Sequence, residues 1–256
     1  MKSLPVINYG PWSPSKATLA GDCPLAFKYK YIDNVKIDLP PNSGAVVGVA
    51  VHRAQELILG GIKASEALDQ SIVENSEKLT YKDKEQVKTF VQPLIEFNER
   101  IAKFKINKGV KEILIERKWA INSNFEPCDF FDSSGLIRGV VDLCMVMHSG
   151  HIIIIDHKTG KVRPVDYYRT QLDFYTIMAL AHYEDLKGVQ CALHYVAHGR
   201  LDWASPIKST YIRDVLQPWI LDYLAKKSAR VESNEAKPGF HCRWCDFRDI
   251  CEFREL

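Results

Sequence analysis

The sequence predicts an α/β fold in which a mostly helical first part precedes a cluster of strands. Apolar residues recur at helical spacing from 46 to about 62, and helical patterning continues from 65 to about 104. From 111 to 158 the chain changes to alternating and β-branched runs, which are typical of strands. After Pro164 the order is helix, strand, helix, and a short cysteine-rich tail follows.

The helical part has recognisable start and stop signals. Ser13 or Ser15 can cap a first helix through KATLAGDCPLAFKYKY, and the proline-rich loop DLPPNSG follows that helix. The stretch from 65 to 104 is expected to break near Pro93, because proline interrupts helices. These signals predict several helices before the first strand.

The strand part contains a hairpin and then alternates with helices. KEILIERKWAINS alternates, and LIRGVVDLCMVM, the turn SGH and HIIIID form the hairpin. A helix over DYYRTQLDFYTIMALAHYE, a strand over VQCALHYVAHG and a helix interrupted at Pro218 complete the order. We expect one domain over 1–256, with a mostly helical part (1–110), a core (111–235) and a tail (236–256) that packs with Cys23.

Composition narrows the class of partner. The formal net charge is only +2, so any nucleic-acid site must be a local patch. No run reaches the roughly 18 apolar residues that span a bilayer, so we expect a soluble, cytoplasmic protein without a membrane partner. No targeting signal or oligomerisation pattern is legible, and the oligomeric state stays open.

Acidic residues gather on three consecutive strands. Asp156 and Lys158 share one strand face while His157 takes the other, and Asp142 lies on the preceding strand of the hairpin. Glu116, on the strand before that, can point to the same place. Carboxylates that meet repel each other unless a cation joins them, and their hard oxygens suit Mg²⁺ or Mn²⁺. Lys158 can then orient or help deprotonate a water and offset charge on a pentacovalent phosphorus.

A plainer interpretation exists for each residue taken alone. An isolated D-x-K is most often a solvated strand end, and an aspartate before it is often a turn residue. Glu116 competes with Glu112 on the same strand face. The surrounding motifs favour the metal site.

These motifs resemble those of a known enzyme family. GVVD, then DHKTG after thirteen intervening residues, then QLDFY, resemble the PD-(D/E)xK nuclease superfamily and within it the RecB-like exonucleases. The matching residues are Gly139, Asp142, Asp156, Lys158, Thr159, Gly160, Gln171 and Tyr175. The resemblance implies a restriction-endonuclease-like core, with a central mixed sheet flanked by helices, and metal-dependent cleavage of DNA phosphodiesters.

The resemblance also assigns roles to further residues. GVAVHRAQE resembles the helix whose histidine binds or neighbours the metal, here His52, although a helix-surface or core histidine is the alternative. The backbone carbonyl of His157 is a further metal ligand in this scheme. Gln171 and Tyr175, four residues apart on one helix face, would position the scissile phosphate or a flanking nucleotide; a cap contact and a core tyrosine are the alternative.

Four of the seven cysteines form a separate pattern. Cys242, Cys245 and Cys251 make C-x2-C-x5-C, and Cys23 stands in DCPLAFKYKY. Such thiols bind Zn²⁺ or a [4Fe-4S] cluster, and spacing alone does not choose. The arrangement resembles the AddB subunit and the CRISPR-associated adaptation exonucleases, which implies an iron-sulfur cluster that joins the first helix to the tail. Cys128, Cys144 and Cys191 are expected to be core residues.

Basic and aromatic residues surround the proposed site and predict contacts with unpaired DNA, although an ordinary solvated rim would look the same. They are Arg138, Lys161, Arg163, Tyr168 and Arg169. We therefore expect a DNA exonuclease for single-stranded ends or overhangs, with a possible helicase, recombinase or integrase partner. An endonuclease with the same site, a non-catalytic DNA-binding adaptor and an unrelated zinc protein are the alternatives. The sequence does not indicate the polarity of cleavage, a viral or cellular origin, or the biological pathway.

Overall fold

A computed structural model describes residues 7–38, 42–107 and 109–254. Within these ranges six strands form one mixed sheet: β1 (Val110–Ile121), β2 (Ile137–Met147), β3 (His151–Lys158), β4 (Gly188–Tyr195), β5 (Arg200–Trp203) and β6 (Ile207–Lys208). The order is β1-β2-β3-β4-β5, and β6 pairs with β4 beside β5. Only β3 and β4 run parallel; the other described pairs are antiparallel.

Helices precede, follow and interrupt the strands. They are α1 (Pro14–Asp22), α2 (Pro24–Phe27), α3 (Ser43–Leu59), α4 (Ala64–Glu74), α5 (Tyr81–Lys88), α6 (Val91–Asn107), α7 (Arg169–His182), α8 (Ser209–Tyr211) and α9 (Gln217–Glu232). Ser13 caps α1 as expected, and its side chain accepts a hydrogen bond from the backbone N–H of Lys16. Thr80 and Asp83 form a capping box at α5. These local signals fix where the chain turns.

The sheet is covered on both faces, as the alternation along β3 requires. Ile152 and Ile154 pack in the core that contains α7 and α9, whereas Ile155 packs in a second core with Phe97 of α6. Residues of opposite parity on one strand point to opposite faces. Asp156 therefore faces α7, and His157 faces α6.

Both predictions about prolines are confirmed. A break lies near Pro93, because α5 ends at Lys88 and α6 begins at Val91, which puts Pro93 in the first turn of α6; a further break follows α4. A proline is tolerated in that turn because the first-turn N–H groups have no partner within the helix. The interruption at Pro218 is present as a π-helical segment (Ile212–Leu216) that ends where α9 begins at Gln217, next to Pro218.

The described ranges hold no helix with the length and apolar character needed to cross a bilayer.

Candidate active site

The first part of the site is a closed set of hydrogen bonds around Asp156. Gln171 Nε2 donates to Asp156 Oδ1 (2.8 Å) and to the hydroxyl of Tyr175 (2.8 Å), and that hydroxyl donates to the same carboxylate oxygen (3.2 Å). Lys158 Nζ donates to Gln171 Oε1 at 2.9 Å and lies 2.6 Å from Asp156 Oδ2. The amide thus turns its oxygen to the ammonium and its nitrogen to the carboxylate, so every partner is of the correct kind.

Gly139 leaves the room that this network needs. A Cβ atom at Gly139 would lie 3.2 Å from Cε1 of Tyr175 and 3.0 Å from Cε of Met178. Both neighbours belong to α7, so the absent side chain lets α7 approach β2 closely. The glycine of the GVVD motif therefore has a packing reason at this position.

The second part of the site is a group of three possible metal ligands. His52 Nδ1 lies 3.6 Å from Asp142 Oδ2 and 3.9 Å from Glu116 Oε1. One ligand atom from each of the three residues lies within 4.8 Å of the others. Glu116 has a positive φ of 48° on β1, a strained backbone conformation for glutamate. Among the described residues, this is the one group of three or more His, Cys, Asp or Glu side chains at such spacing.

The two parts meet at the backbone of β3. The N–H of His157 donates to Asp142 Oδ2 at 2.7 Å, which ties the second carboxylate to the residue that follows Asp156. Asp156 Oδ2 is buried and accepts no hydrogen bond from the described residues. Asp156 is not among the three residues whose ligand atoms lie within 4.8 Å of one another, but its buried Oδ2, engaged only by the ion pair with Lys158, is a chemically suitable oxygen donor for a cation.

The pKa values of Asp142 and His52 are shifted by burial and by the charged groups around them. Burial and the charge of Asp156 raise the pKa of Asp142 to about 7. Burial alone would lower the pKa of His52, but Glu116, Asp142 and Asp156 outweigh it and raise that pKa to about 9. Burial and Asp156 also hold the pKa of Tyr175 well above its usual range. The acids repel each other and hold a proton on His52, and a metal ion that binds here would replace that proton and offset the charge of the acids.

His157 points away from the acids, as the strand alternation predicts. Its Nδ1 lies 3.0 Å from Nδ1 of His194, and Phe97 stacks on His194 at 4.0 Å. Burial holds the pKa of His157 well below its usual value and lowers that of His194 to about 3, so both rings are neutral. The imidazole of His157 thus packs in the core, while its backbone lies in the site.

Comparison with known proteins identifies the family. The family model described as PD-(D/E)XK nuclease superfamily matches residues 11–252. The chain belongs to this superfamily. PD-(D/E)XK nucleases use divalent metal ions, and their substrate is DNA.

A solved structure supports the fold. A protein from Eubacterium rectale described as "Putative exonuclease" is 14% identical with a TM-score of 0.54, and the match covers 95% of this chain and 89% of that one. A structure described as SSO0001 is also 14% identical, with a TM-score of 0.37 and coverage of 90% and 94%. No match was found among the sequences of curated proteins.

In this PD-(D/E)XK nuclease, the predicted site residues lie between two clefts. The smaller, of about 520 Å³, is lined by His52 and Glu116 together with Thr159. The larger, of about 890 Å³, is lined by Gln171 and Tyr175. The two clefts share no lining residue. We call the smaller cleft, lined by His52 and Glu116, the metal side of the site, and the larger cleft the Gln171 side; Asp142, Asp156 and Lys158 lie between them.

The predicted DNA contacts divide into two sets. Arg138 and Tyr168 line the larger cleft, and Lys161 and Arg163 are exposed on the loop after β3. Arg169 instead pairs with Asp173 at 3.0 Å and lines a different, small pocket. The structure does not bring Arg169 to the site, and its DNA contact stays a prediction.

Tyr195 has a positioning role that the sequence did not predict. The hydroxyl of Tyr195, at the end of β4, accepts from the N–H of Arg163 (3.0 Å) and donates to the carbonyl of the same residue. This phenol fixes the loop that carries Lys161 and Arg163. An aromatic residue at the end of an apolar strand looks like core, so the sequence offers no signal for this role.

The four patterned cysteines lie around one place but not at ligand spacing. Cys23, Cys242, Cys245 and Cys251 line a single pocket, and Cys23 packs with Phe247 in a small apolar cluster. No three of these sulfurs are within 4.8 Å of one another. The structure thus joins the first helix to the tail without showing a formed metal or iron-sulfur site.

Proposed function

We propose that this nuclease is a Mg²⁺- or Mn²⁺-dependent DNA exonuclease that acts on single-stranded ends or overhangs. The observation that carries the proposal is the continuous set of contacts from His52, Glu116 and Asp142, through the backbone of β3, to Asp156, Lys158 and Gln171. A nucleic-acid phosphate at this set would meet cation ligands on one side and an ammonium on the other.

The metal ligands in this proposal are His52, Glu116 and Asp142, with Asp156 and the backbone carbonyl of His157 completing the set. Their gathering and the buried Oδ2 of Asp156 fit a hard cation. A bound ion supplies a Lewis acid that polarises the phosphoryl oxygen and lowers the pKa of water. The remaining steps fall to the side chains of the chain itself.

Lys158 holds the attacking water and the developing charge. Its ammonium is kept in place by Asp156 and by the carbonyl oxygen of Gln171, and it has three N–H donors in all. Placed beside the phosphate, it orients the water and stabilises negative charge on the pentacovalent phosphorus. Gln171 and Tyr175 donate to Oδ1 of Asp156, which leaves Oδ2 to pair with Lys158 and to reach a bound cation.

Linear and circular single strands distinguish an exonuclease from an endonuclease. We expect metal-dependent release of label from one end of a linear strand, because an exonuclease engages only a free end. A circular strand of the same sequence should stay intact under these conditions. Cleavage of the circle at a comparable rate would replace the exonuclease with an endonuclease.

We further propose that Cys23, Cys242, Cys245 and Cys251 hold a [4Fe-4S] cluster. Tetrahedral zinc with bonds of ~2.3 Å requires sulfurs about 3.8 Å apart, a spacing that no three of the four show. A cubane cluster spaces its thiolates more widely than one ion does, and the shared pocket supports it.

Metal content of anaerobically purified protein tests this cluster. We expect a brown protein with about four iron atoms per chain. Cys245→Ala should lose the iron and Cys128→Ala, a cysteine outside the pocket, should keep it. One zinc and no iron in the unaltered protein would contradict the cluster.

A further inference from the structure

The larger cleft has an unusual lining. Besides Tyr175 of the catalytic network, four aromatic rings line it from three separate segments: Tyr31 after α2, Phe130 between β1 and β2, and Tyr167 and Tyr168 before α7. We call this cleft the aromatic groove. Tyr167 is 68% exposed and Tyr31 38% exposed, so a large part of each ring is open to solvent.

Each of these rings lies beside a cation. Arg138 is 5.3 Å from the centre of Phe130, Lys16 is 5.1 Å from Tyr31, Arg163 is 5.5 Å from Tyr167 and Lys158 is 4.3 Å from Tyr168. These positions are within cation–π range. The groove therefore combines flat apolar surfaces with positive charge; among its described lining residues Asp22 is the only acid.

The aromatic groove begins at the catalytic network. Gly139, Gln171 and Tyr175 belong to its lining, so a strand with its phosphate at Lys158 has a direct way into it. The cleft on the metal side is different, because its described lining holds His52 but no Phe, Tyr or Trp. Among the residues that the structure describes, aromatic surfaces on which bases can stack therefore line the Gln171 side and not the His52 side.

We propose that the aromatic groove is a stacking subsite for the unpaired bases on one side of the scissile phosphate. This inference rests on the proposed nuclease function and adds the substrate requirement on the Gln171 side. Base faces inside a duplex are covered by their neighbours, so exposed rings select a strand that is already single. Arg138 and Arg163, the arginines beside Phe130 and Tyr167, pair with phosphates and hold the strand in register.

Binding of a labelled oligothymidine to protein in EDTA, where the strand is not cut, tests the subsite. Phe130→Ala and Tyr167→Ala should each weaken binding roughly fivefold to a hundredfold, the range for losing one base–aromatic stack. Phe130→Tyr, which keeps a ring, should bind like the unaltered protein. Tyr81→Ala, an exposed tyrosine at the start of α5 outside the groove, serves as the matched control.

Oligonucleotides with abasic spacers separate stacking from phosphate contact. If Phe130 and Tyr167 stack on bases, their alanine variants and the unaltered protein should bind the abasic strand with similar affinity. Equal fold-losses on normal and abasic strands, or no loss in either variant with folding intact by circular dichroism, would overturn the subsite.

Failure of the catalytic proposal remains distinguishable from failure of the groove. Hydrolysis of bis(p-nitrophenyl) phosphate with Mn²⁺ reports on the metal site without bases. An unaltered protein that cuts neither this ester nor DNA contradicts the nuclease proposal, whereas the binding results judge the aromatic groove by themselves.

Discussion

Asp142→Asn should stabilise the metal-free protein at alkaline pH, which is the opposite of its effect on a metal-loaded site. Asn keeps an oxygen that can accept the 2.7 Å hydrogen bond from the N–H of His157, but it removes one of the mutually repelling charges. The pKa of the Asp142 carboxyl rises from 3.8 to about 7 on folding. With about 1.4 kcal/mol per unit, an ionised Asp142 costs the folded state about 4 kcal/mol.

The sign of the pH dependence follows from that raised pKa. Below pH 4 the Asp142 carboxyl is protonated in both the folded and the unfolded protein, so it does not change the free energy of unfolding. Its destabilising effect grows between pH 4 and 7 and is constant above pH 7. At pH 5 the same relation leaves about 2 kcal/mol. The gain from Asn is smaller than the full cost, because protonated His52 loses one of its acidic partners.

Thermal unfolding in EDTA and in Mn²⁺ is the assay. At ~2–4 °C per kcal/mol for a chain of this size, Asp142→Asn should unfold several degrees higher than the unaltered protein at pH 8 in EDTA, and the gap should narrow at pH 5. Saturating Mn²⁺, worth about 2.7 kcal/mol at a hundredfold excess over Kd, should stabilise only the unaltered protein. Glu112→Gln, an exposed carboxylate on the neighbouring strand β1, is the control. A lower melting temperature for Asp142→Asn in EDTA at pH 8 would refute the reasoning.

Three other substitutions test neighbouring contacts. Tyr195→Phe removes both hydrogen bonds to the backbone of Arg163 and should cost about 1–2 kcal/mol in chemical unfolding, together with weaker DNA binding; unchanged stability would show that the phenol holds nothing. Gly139→Ala places a methyl group 3.2 Å from the Tyr175 ring and should lower kcat about tenfold or more in a folded protein, so normal turnover would contradict the packing argument. Arg163→Ala should flatten the dependence of DNA affinity on salt by about one unit of log–log slope, and an unchanged slope would remove Arg163 from the phosphate contacts.

Local periodicity predicts the parts of the site that lie on single elements. The two-residue period of β3 puts Asp156 and Lys158 on one face and His157 on the other, and the helical period puts Gln171 beside Tyr175. The structure shows both arrangements, with 2.6 Å between Lys158 and Asp156 and 2.8 Å between Gln171 and Tyr175. These contacts depend only on neighbours in sequence.

Contacts between elements that are distant in the chain cannot be predicted from local periodicity. From the sequence, Asp142 and Asp156 are both predicted metal ligands, with nothing to distinguish their roles. In the structure Asp156 contacts Gln171 and Lys158, whereas Asp142 lies with His52 and Glu116. That division depends on how α3 and α7 pack on the sheet. The aromatic groove likewise combines Tyr31, from the π-helical segment Lys28–Ile32, with Phe130, from the loop between β1 and β2, which is far away in the chain.

Sequence patterns also do not predict very short strands or the distances between residues that line one pocket. β5 and β6 are four and two residues long and exist because β4 offers them a free edge, so no alternation marks them in advance. The cysteine spacing predicts a common location for Cys23 and the tail, and the structure shows a shared pocket. Spacing carries no information about the distances between sulfurs.

The most direct test of the central claim is degradation of end-labelled linear single-stranded DNA with Mn²⁺ or with EDTA. The unaltered protein should release label only with Mn²⁺, and Lys158→Ala at matched cluster content should release none, while Lys226→Ala, an exposed lysine on α9, should behave like the unaltered protein. Label released equally by Lys158→Ala, or no cleavage by folded, cluster-loaded protein with Mn²⁺, would contradict the nuclease site described above.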